Sequence, residues 1–469
     1  MESKYKKLAS DTIIFAIGNV LVKVIQFFLL PLYTSAMTTD QYGTAELVNN
    51  LSELLYPIFC VCIYEALFRL AMDQDVDKKQ LFTNGIVVLG ITFPICAVIM
   101  FILHRVAGFK YAALLLFLLI AVSIRTILAQ FARGIGYLKE FAFSGIVNVL
   151  SLFVFNMLLL VRLKMGISAY LVSLMLGNVV SMLYLFVRCK LYKYFTFSVD
   201  LALLKTMLKY CLPLIPNTFT WWFMNIFDRY VVLFFCGAEL AGIFTAACKL
   251  PSVINLCSTV FQQAWQISSA RELSSSDSKV FFSNVFITYS AFVTTVCSLL
   301  MLCSKVLASF LLKGEFYAGW VYLPVLMLSA MFNSYAIYFG TMYNAVKKTS
   351  QVFYSTVVGT MINIGLIFSL IQVFGVFAAL FAMLLGNVII AVYRLLDTRK
   401  YLKIDYSIPF HVVMLCCVVV QTIIMTLNVK FCTLISAGIF VLILIWDCIL
   451  FGPKGIAVIR SFFSNTHNN

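Results

Sequence analysis

Four basic side chains interrupt long apolar stretches of the sequence: Lys23, Arg125, Arg229 and Lys249. A charge at bilayer depth costs about 2.5–3.5 kcal/mol to insert, so it normally faces protein or water, not lipid. Most have polar company at helical spacing. Asn19, Lys23 and Gln26 follow i, i+4, i+7 and share one face. Glu46, Asn49, Asn50 and Glu53 recur similarly in the next stretch, followed by Glu65 and Arg69 one turn apart, where they can pair. Asn217, Trp221, Asn225 and Asp228 align beside Arg229, and Thr245, Lys249, Ser252, Thr259, Gln263 and Gln266 align in the stretch after that. Arginine and lysine supply donors matched to phosphate oxygens. The set therefore predicts an anion-binding surface, with Lys23, Arg125, Arg229 and Lys249 as its cations and Asn19, Gln26 and Asn225 as neutral donors. The carboxylates Glu46, Glu53 and Asp228 are candidates for coupling to an ion. The competing arrangement neutralises each cation internally, for example Arg229 with Asp228 or Lys23 with Glu53.

The elements that must carry these residues are membrane helices. Of 469 residues, 62% are apolar and 11% charged, whereas a soluble domain is about a quarter charged. Apolar stretches of roughly 20 residues, each long enough to cross a bilayer, recur along the whole chain. Hydropathy, turn residues and charge breaks predict spans at 11–36, 44–69, 81–103, 111–132, 141–161, 167–187, 207–235, 240–268, 280–303, 318–345, 350–373, 375–393, 408–428 and 432–450. The fold class is all-α and polytopic, with about fourteen transmembrane helices. The basic segment Met1–Leu8 leads into the first span without a small-residue cleavage site and reads as an anchor. No room is left for a soluble catalytic domain, and no P-loop, HExxH or dinucleotide fingerprint is present. Gly134-Ile135-Gly136 lies in a short loop, and His104, His411 and His467 are scattered. The 14 cysteines lie mostly in apolar stretches and read as packing residues, not as a metal site. The net charge of +15 has no basic soluble domain to put it to use on nucleic acid. The chain is thus expected to be a transporter and not an enzyme. With no cofactor and no ATP site, it would be driven by an ion gradient, the membrane potential or the substrate's own gradient.

Charge distribution orients the spans. With the N-terminus cytoplasmic, 23 lysines and arginines fall on the cytoplasmic side and 7 on the other, the asymmetry expected of cytoplasmic loops. Both termini are then cytoplasmic. The chain also resembles itself. Asp77, Lys79, Phe82 and Asn84 recur as Asp277, Lys279, Phe282 and Asn284, and Leu176–Val179 recurs as Leu385–Val388, each followed by a tyrosine and a basic cluster. Six spans separate corresponding positions, so the repeats run parallel, about an axis along the membrane normal. The expected architecture has an N-lobe (1–190), a linker (191–206), a C-lobe (207–400) and two further helices with a cytoplasmic tail (401–469). The two six-helix lobes would face a central cavity suited to alternating access.

Pro31, Pro57, Pro94, Pro213, Pro216, Pro251 and Pro324 fall inside spans, where each removes a backbone donor and can bend a helix. Tyr33, Tyr42, Trp320 and Tyr322 lie near span ends and read as interface anchors. The run Leu29-Leu30-Pro31-Leu32-Tyr33-Thr34 with Gln41-Tyr42-Gly43 closely resembles the first hairpin of bacterial Wzx-type polysaccharide flippases, members of the multidrug/oligosaccharidyl-lipid/polysaccharide exporter superfamily. So does Tyr210–Asn217 with Trp221-Trp222 and Asp228-Arg229-Tyr230, and so does Lys249-Leu250-Pro251 with Gln262–Gln266. The resemblance runs over nearly the whole chain. It implies transfer of undecaprenyl-pyrophosphate-linked oligosaccharide repeat units across a bacterial plasma membrane, by a monomer working with a glycan polymerase and other assembly proteins. It does not specify the sugar. A drug or small-cation exporter and a lipid II flippase on the same fold remain as alternative cargoes, and a glycan-assembly scaffold as a role without transport.

Overall fold

A computed structural model describes residues 21–106, 108–272, 278–346, 348–401 and 408–465; the side chains of some helical positions, Asn217, Trp221 and Asn225 among them, lie outside the described set, as does Asn19. The described chain is helical throughout: α1 (Leu21–Ala36), α2 (Thr39–Phe59), α3 (Ile63–Ala71), α4 (Lys78–Val106), α5 (Ala112–Gly134), α6 (Leu138–Phe155), α7 (Gly166–Arg188), α8 (Leu201–Cys211), α9 (Leu214–Cys236), α10 (Ala238–Ala247), α11 (Ser252–Glu272), α12 (Ser278–Leu302), α13 (Ser304–Leu311), α14 (Leu323–Ala345), α15 (Thr349–Phe374), α16 (Val376–Thr398), α17 (Ile408–Thr426) and α18 (Cys432–Asn465). Within the described residues each expected span coincides with a helix or a helix pair; residues 11–20 of the first lie outside them. Ten are long and apolar enough to cross a membrane, and two bent pairs bring the number to twelve among the described residues.

Three spans read as continuous are broken. Between α2 and α3 the chain bends by 60°. Pro57 lacks a donor, and Val61 and Cys62 then take left-handed φ values of 55° and 51°, so the helix cannot continue. Between α10 and α11 the bend is 43°, at Pro251. The span expected at 207–235 is α8 followed by α9, with Pro213 as the N-cap of α9. A fourth irregularity widens a span without breaking it: α6 passes into a π-helical turn at Asn156–Arg162.

The chain forms two compact units, Met1–Thr245 and Ala246–Asn469. In the first, α3, α4, α5 and α8 enclose a core that includes Ile63, Leu67, Phe82, Phe131, Leu185 and Met207. In the second, α14 is central, packed against α11, α12, α16 and α17. The helices α17 and α18 dock on α12 through a polar seam. Ser298 Oγ donates to Gln421 Oε1 at 2.7 Å, and Gln421 Nε2 donates to Ser298 O at 3.0 Å and Ser436 Oγ at 2.7 Å. Thr295 Oγ1 also donates to Asp447, and Ser290 Oγ pairs with His411 Nε2 at 2.7 Å.

The repeat is physical. A Cβ on Gly177 of α7 would lie 3.1 Å from Asn148 O of α6, and one on Gly386 of α16 would lie 3.1 Å from Gly359 O of α15. The repeated glycine thus lets the last two helices of each repeat approach closely. Phe82 and Phe282 are both buried, but Asn84 is buried whereas Asn284 is exposed, and Asn84 bonds the linker backbone at Asp200 O, 2.8 Å away.

Candidate functional site

The first unit places an acidic residue inside a ring of aromatic hydroxyls. Thr38 starts α2 with a reciprocal cap: Gln41 N donates to Thr38 Oγ1 at 3.3 Å and Thr38 N to Gln41 Oε1 at 3.4 Å. One turn on, Tyr42 and Glu46 share a face at i, i+4 spacing. Glu46 is only 2% exposed. Its Oε1 accepts from Tyr170 of α7 at 2.8 Å and from Tyr42 at 3.2 Å. Tyr33 of α1 packs its ring 4.9 Å from Tyr170 and 6.0 Å from Tyr42, while its hydroxyl accepts from Asn156 Nδ2 at 3.1 Å. Asn156 opens the π turn, an irregularity frequent at functional positions. Tyr33 and Tyr42 are therefore not interface anchors: both are buried, Tyr42 as a donor to the Glu46 carboxyl and Tyr33 against the rings of Tyr42 and Tyr170. Trp320 is buried as well, with Lys305 Nζ 4.5 Å from its ring centre.

Two glycines carry α10 against α2. A Cβ on Gly242 would fall 1.9 Å from Thr39 O, and one on Gly43 would fall 2.6 Å from Ala238 O. The crossing is backbone on backbone, and no other residue type fits.

Further along, α2 is bolted to α9. Trp222 Nε1 donates to Asn50 O at 2.8 Å and Tyr230 Oη to Leu47 O at 2.8 Å. Arg229 donates to Asn50 Oδ1 at 3.4 Å, and Leu54, Trp222 and Ile226 form a small apolar cluster beside them. Both oxygens reached by the two rings belong to the backbone of α2, so the aromatic residues read position and not side-chain identity.

The four sequence-derived cations differ in their surroundings. Lys23 and Gln26 lie on an exposed face of α1, and Arg229 is half-buried on α9. Among the described residues Arg229 makes its contact with the neutral Asn50 side chain. Arg125 of α5 is half-buried and donates to Ser181 Oγ of α7 at 3.2 Å, with Ser181 in turn donating to Ser144 O at 2.8 Å. Lys249 belongs to the second unit, in the break between α10 and α11, where its carbonyl accepts from Ser252. Glu46, Asp228 and Arg229 are thus carried by the first unit, together with an exposed Glu53. Asn19 and the side chain of Asn225 fall outside the described residues. Arg69 takes Asp73 as its partner at 2.7 Å, not Glu65; Asp73 lies one turn C-terminal to it.

A fifth intramembrane cation escaped sequence reading because it sits in a basic cluster. Arg394 of α16 is buried. It donates to Ala336 O of α14 at 2.7 Å and, on α15, to Thr356 Oγ1 at 2.8 Å, Ser355 Oγ at 2.9 Å and Val352 O at 3.3 Å. These are all neutral acceptors on neighbouring helices, so the guanidinium is a clamp. One turn on, Asp397 accepts from Tyr343 at 2.9 Å and from Lys400 at 2.7 Å; beyond the span, that carboxylate holds the Lys400 ammonium above the usual lysine range. Spacing could have marked Arg394, since Asn387 and Arg394 are seven residues apart on one face.

Comparison with known proteins gives a family and a fold. The family model described as polysaccharide biosynthesis protein matches residues 8–267. No curated protein matches the chain in sequence. Among solved structures, the lipid II flippase MurJ in an inward closed conformation is similar at 14% identity and a TM-score of 0.67, covering 94% of this chain and 99% of that one. An inward-facing multidrug resistance MATE family transporter of the MOP superfamily is similar at 14% identity and a TM-score of 0.66, covering 82% and 97%. A MOP superfamily transporter from Pyrococcus furiosus matches at 14% identity and a TM-score of 0.57, covering 83% and 95%. The chain belongs to the polysaccharide biosynthesis protein family, and its many apolar helices adopt the fold of the MOP-superfamily membrane transporters.

Proposed function

We propose that the protein flips undecaprenyl-pyrophosphate-linked oligosaccharide repeat units across the bacterial plasma membrane by alternating access of two six-helix lobes, 1–190 and 207–400. The observation that carries this reading is Arg229. Its guanidinium lies within a span and holds to α2 by a single 3.4 Å bond to a neutral amide. Such a group has donors to spare for phosphate oxygens. Lys23 and Lys249 extend the cationic set, with Asn19, Gln26 and Asn225 as glycan-facing donors. Arg125, tied to Ser181, takes the lesser part.

Coupling belongs to the carboxyl groups. Glu46, ringed by three tyrosines, has the burial that makes loss or gain of a proton costly enough to bias a conformation; Glu53 and Asp228 supply further charge. No cofactor enters. Glycan polymerase and other assembly proteins are the partners in this scheme, with a monomer as the transporting unit and both termini in the cytoplasm.

Replacing Lys23, Arg229 and Lys249 one at a time should abolish surface glycan while membrane insertion stays normal. Wild-type glycan in all three variants would refute the assignment. Rescue of a strain depleted of lipid II flipping would instead identify the peptidoglycan precursor as cargo. Reduced drug accumulation, with glycan unaffected, would point to the acidic residues and a cationic cargo.

A further inference from the structure

The segment from Cys189 to Leu212 joins α7 to α9 and is held in place without being covered. Leu191, Met207 and Cys211 are buried in the core of the first unit. Asn84 Nδ2 donates to Asp200 O at 2.8 Å, Thr196 N donates to Thr83 Oγ1 at 3.0 Å, and Cys211 Sγ donates to Cys62 O at 3.3 Å. The rest faces outward. Phe197 is 97% exposed and Leu201 74%, and Tyr192, Phe195, Val199 and Leu212 are exposed too. A fixed backbone presenting this many bare apolar side chains needs an apolar neighbour.

The charges beside them say which one. Lys190, Lys193, Lys205 and Lys209 are all exposed, as is Arg188 at the end of α7. The only acid in the segment is Asp200, and its Oδ1 is used in capping α8, accepting from Leu203 N at 3.0 Å. On α8, Leu201, Lys205, Lys209 and Leu212 follow i, i+4, i+8, i+11 and lie on one face. Connectivity places the segment at the membrane edge, since it follows directly on a span that ends at Arg188. It is also bonded to the end of α4 that carries Lys78 and Lys79. Apolar side chains beside lysines, with the one acid among them spent on a helix cap, are the mark of an interfacial element.

We infer that residues 189–212 form a binding surface for acidic phospholipid headgroups, with Phe195, Phe197, Leu201 and Leu212 dipping into the acyl boundary and the four lysines meeting phosphate. This claim is separate from the transport reading and concerns resident lipid, not cargo. Each lysine near an anionic surface should be worth about fivefold in affinity.

The test uses the full chain purified in neutral detergent, with native mass spectrometry reading retained phosphatidylglycerol against phosphatidylcholine. Wild type should retain phosphatidylglycerol preferentially, and raising the salt should abolish the preference. The variant Lys190→Gln, Lys193→Gln, Lys205→Gln, Lys209→Gln should lose phosphatidylglycerol at least tenfold without losing phosphatidylcholine. In nanodiscs, tryptophan at position 197 (Phe197→Trp) should be quenched by lipids brominated close to the headgroup. Equal retention of the two lipids by wild type, indifference to salt, displacement by inorganic phosphate alone, or an unquenched tryptophan would each overturn the inference; the wild-type arms hold even if the fourfold variant fails to fold.

Discussion

Arg394 and Arg229 differ in how tightly they are held, and the difference can be measured. Arg394 makes four hydrogen bonds, to α14 and α15 at once. A lysine at this position keeps the charge but is a single point donor and cannot reach both helices. Arg394→Lys should therefore lose two or three bonds. At about 0.6 kcal/mol each on average in membrane proteins, and up to about 1.7, the loss comes to roughly 2 kcal/mol. Arg229 makes one bond of 3.4 Å, so Arg229→Met should cost less than about 0.6 kcal/mol while abolishing transport. Unfolding in mixed detergent–dodecyl sulfate micelles, followed by tryptophan fluorescence, gives the stabilities, and surface glycan gives the activities. A stable Arg394→Lys, or an Arg229→Met protein destabilised as much as Arg394→Lys, would refute the reasoning.

Four further outcomes follow from other contacts. Glu46→Gln keeps an oxygen for the Tyr42 and Tyr170 hydroxyls but cannot titrate; the protein should fold, and transport should no longer respond to collapse of the proton gradient by an uncoupler. Gly242→Val should prevent the α2–α10 crossing, since even a Cβ lies 1.9 Å from Thr39 O, and thermal stability should drop sharply. By contrast Gly438→Ala, with nothing within 4 Å of the added carbon, should be neutral in the same assay. Gln421→Leu removes three hydrogen bonds between α17 and its neighbours and should cost about 2 kcal/mol in micelle unfolding.

Hydropathy made the spans legible because a bilayer demands long apolar helices and little else. It did not show the bends after Pro57 and before Pro251, because a proline inside a span only sometimes breaks it and local packing decides. The same limit applied to the site. Lys23, Arg125 and Arg229 stood out because charge in an apolar run is rare, whereas Tyr33, Tyr42 and Tyr170 did not, since tyrosine near a span end is common at interfaces. Only the approach of α1, α2 and α7 reveals that the Tyr42 and Tyr170 hydroxyls converge on Glu46, over 124 residues of sequence for Tyr170, with the Tyr33 ring packed beside them. Arg394 was hidden for the converse reason: it was counted with surface cations one and two turns beyond it.

Where α2 meets α10, the seal has no moving part. Nothing longer than a hydrogen atom stands between Gly43 and the main chain of its neighbour, so no rotamer can swing aside to leave a narrow leak. Separation must proceed by sliding whole helices apart, and a gap of about half an ångström to one ångström already forfeits roughly a quarter to a half of the attraction. A junction of this kind has no partly open state that side-chain motion alone could reach.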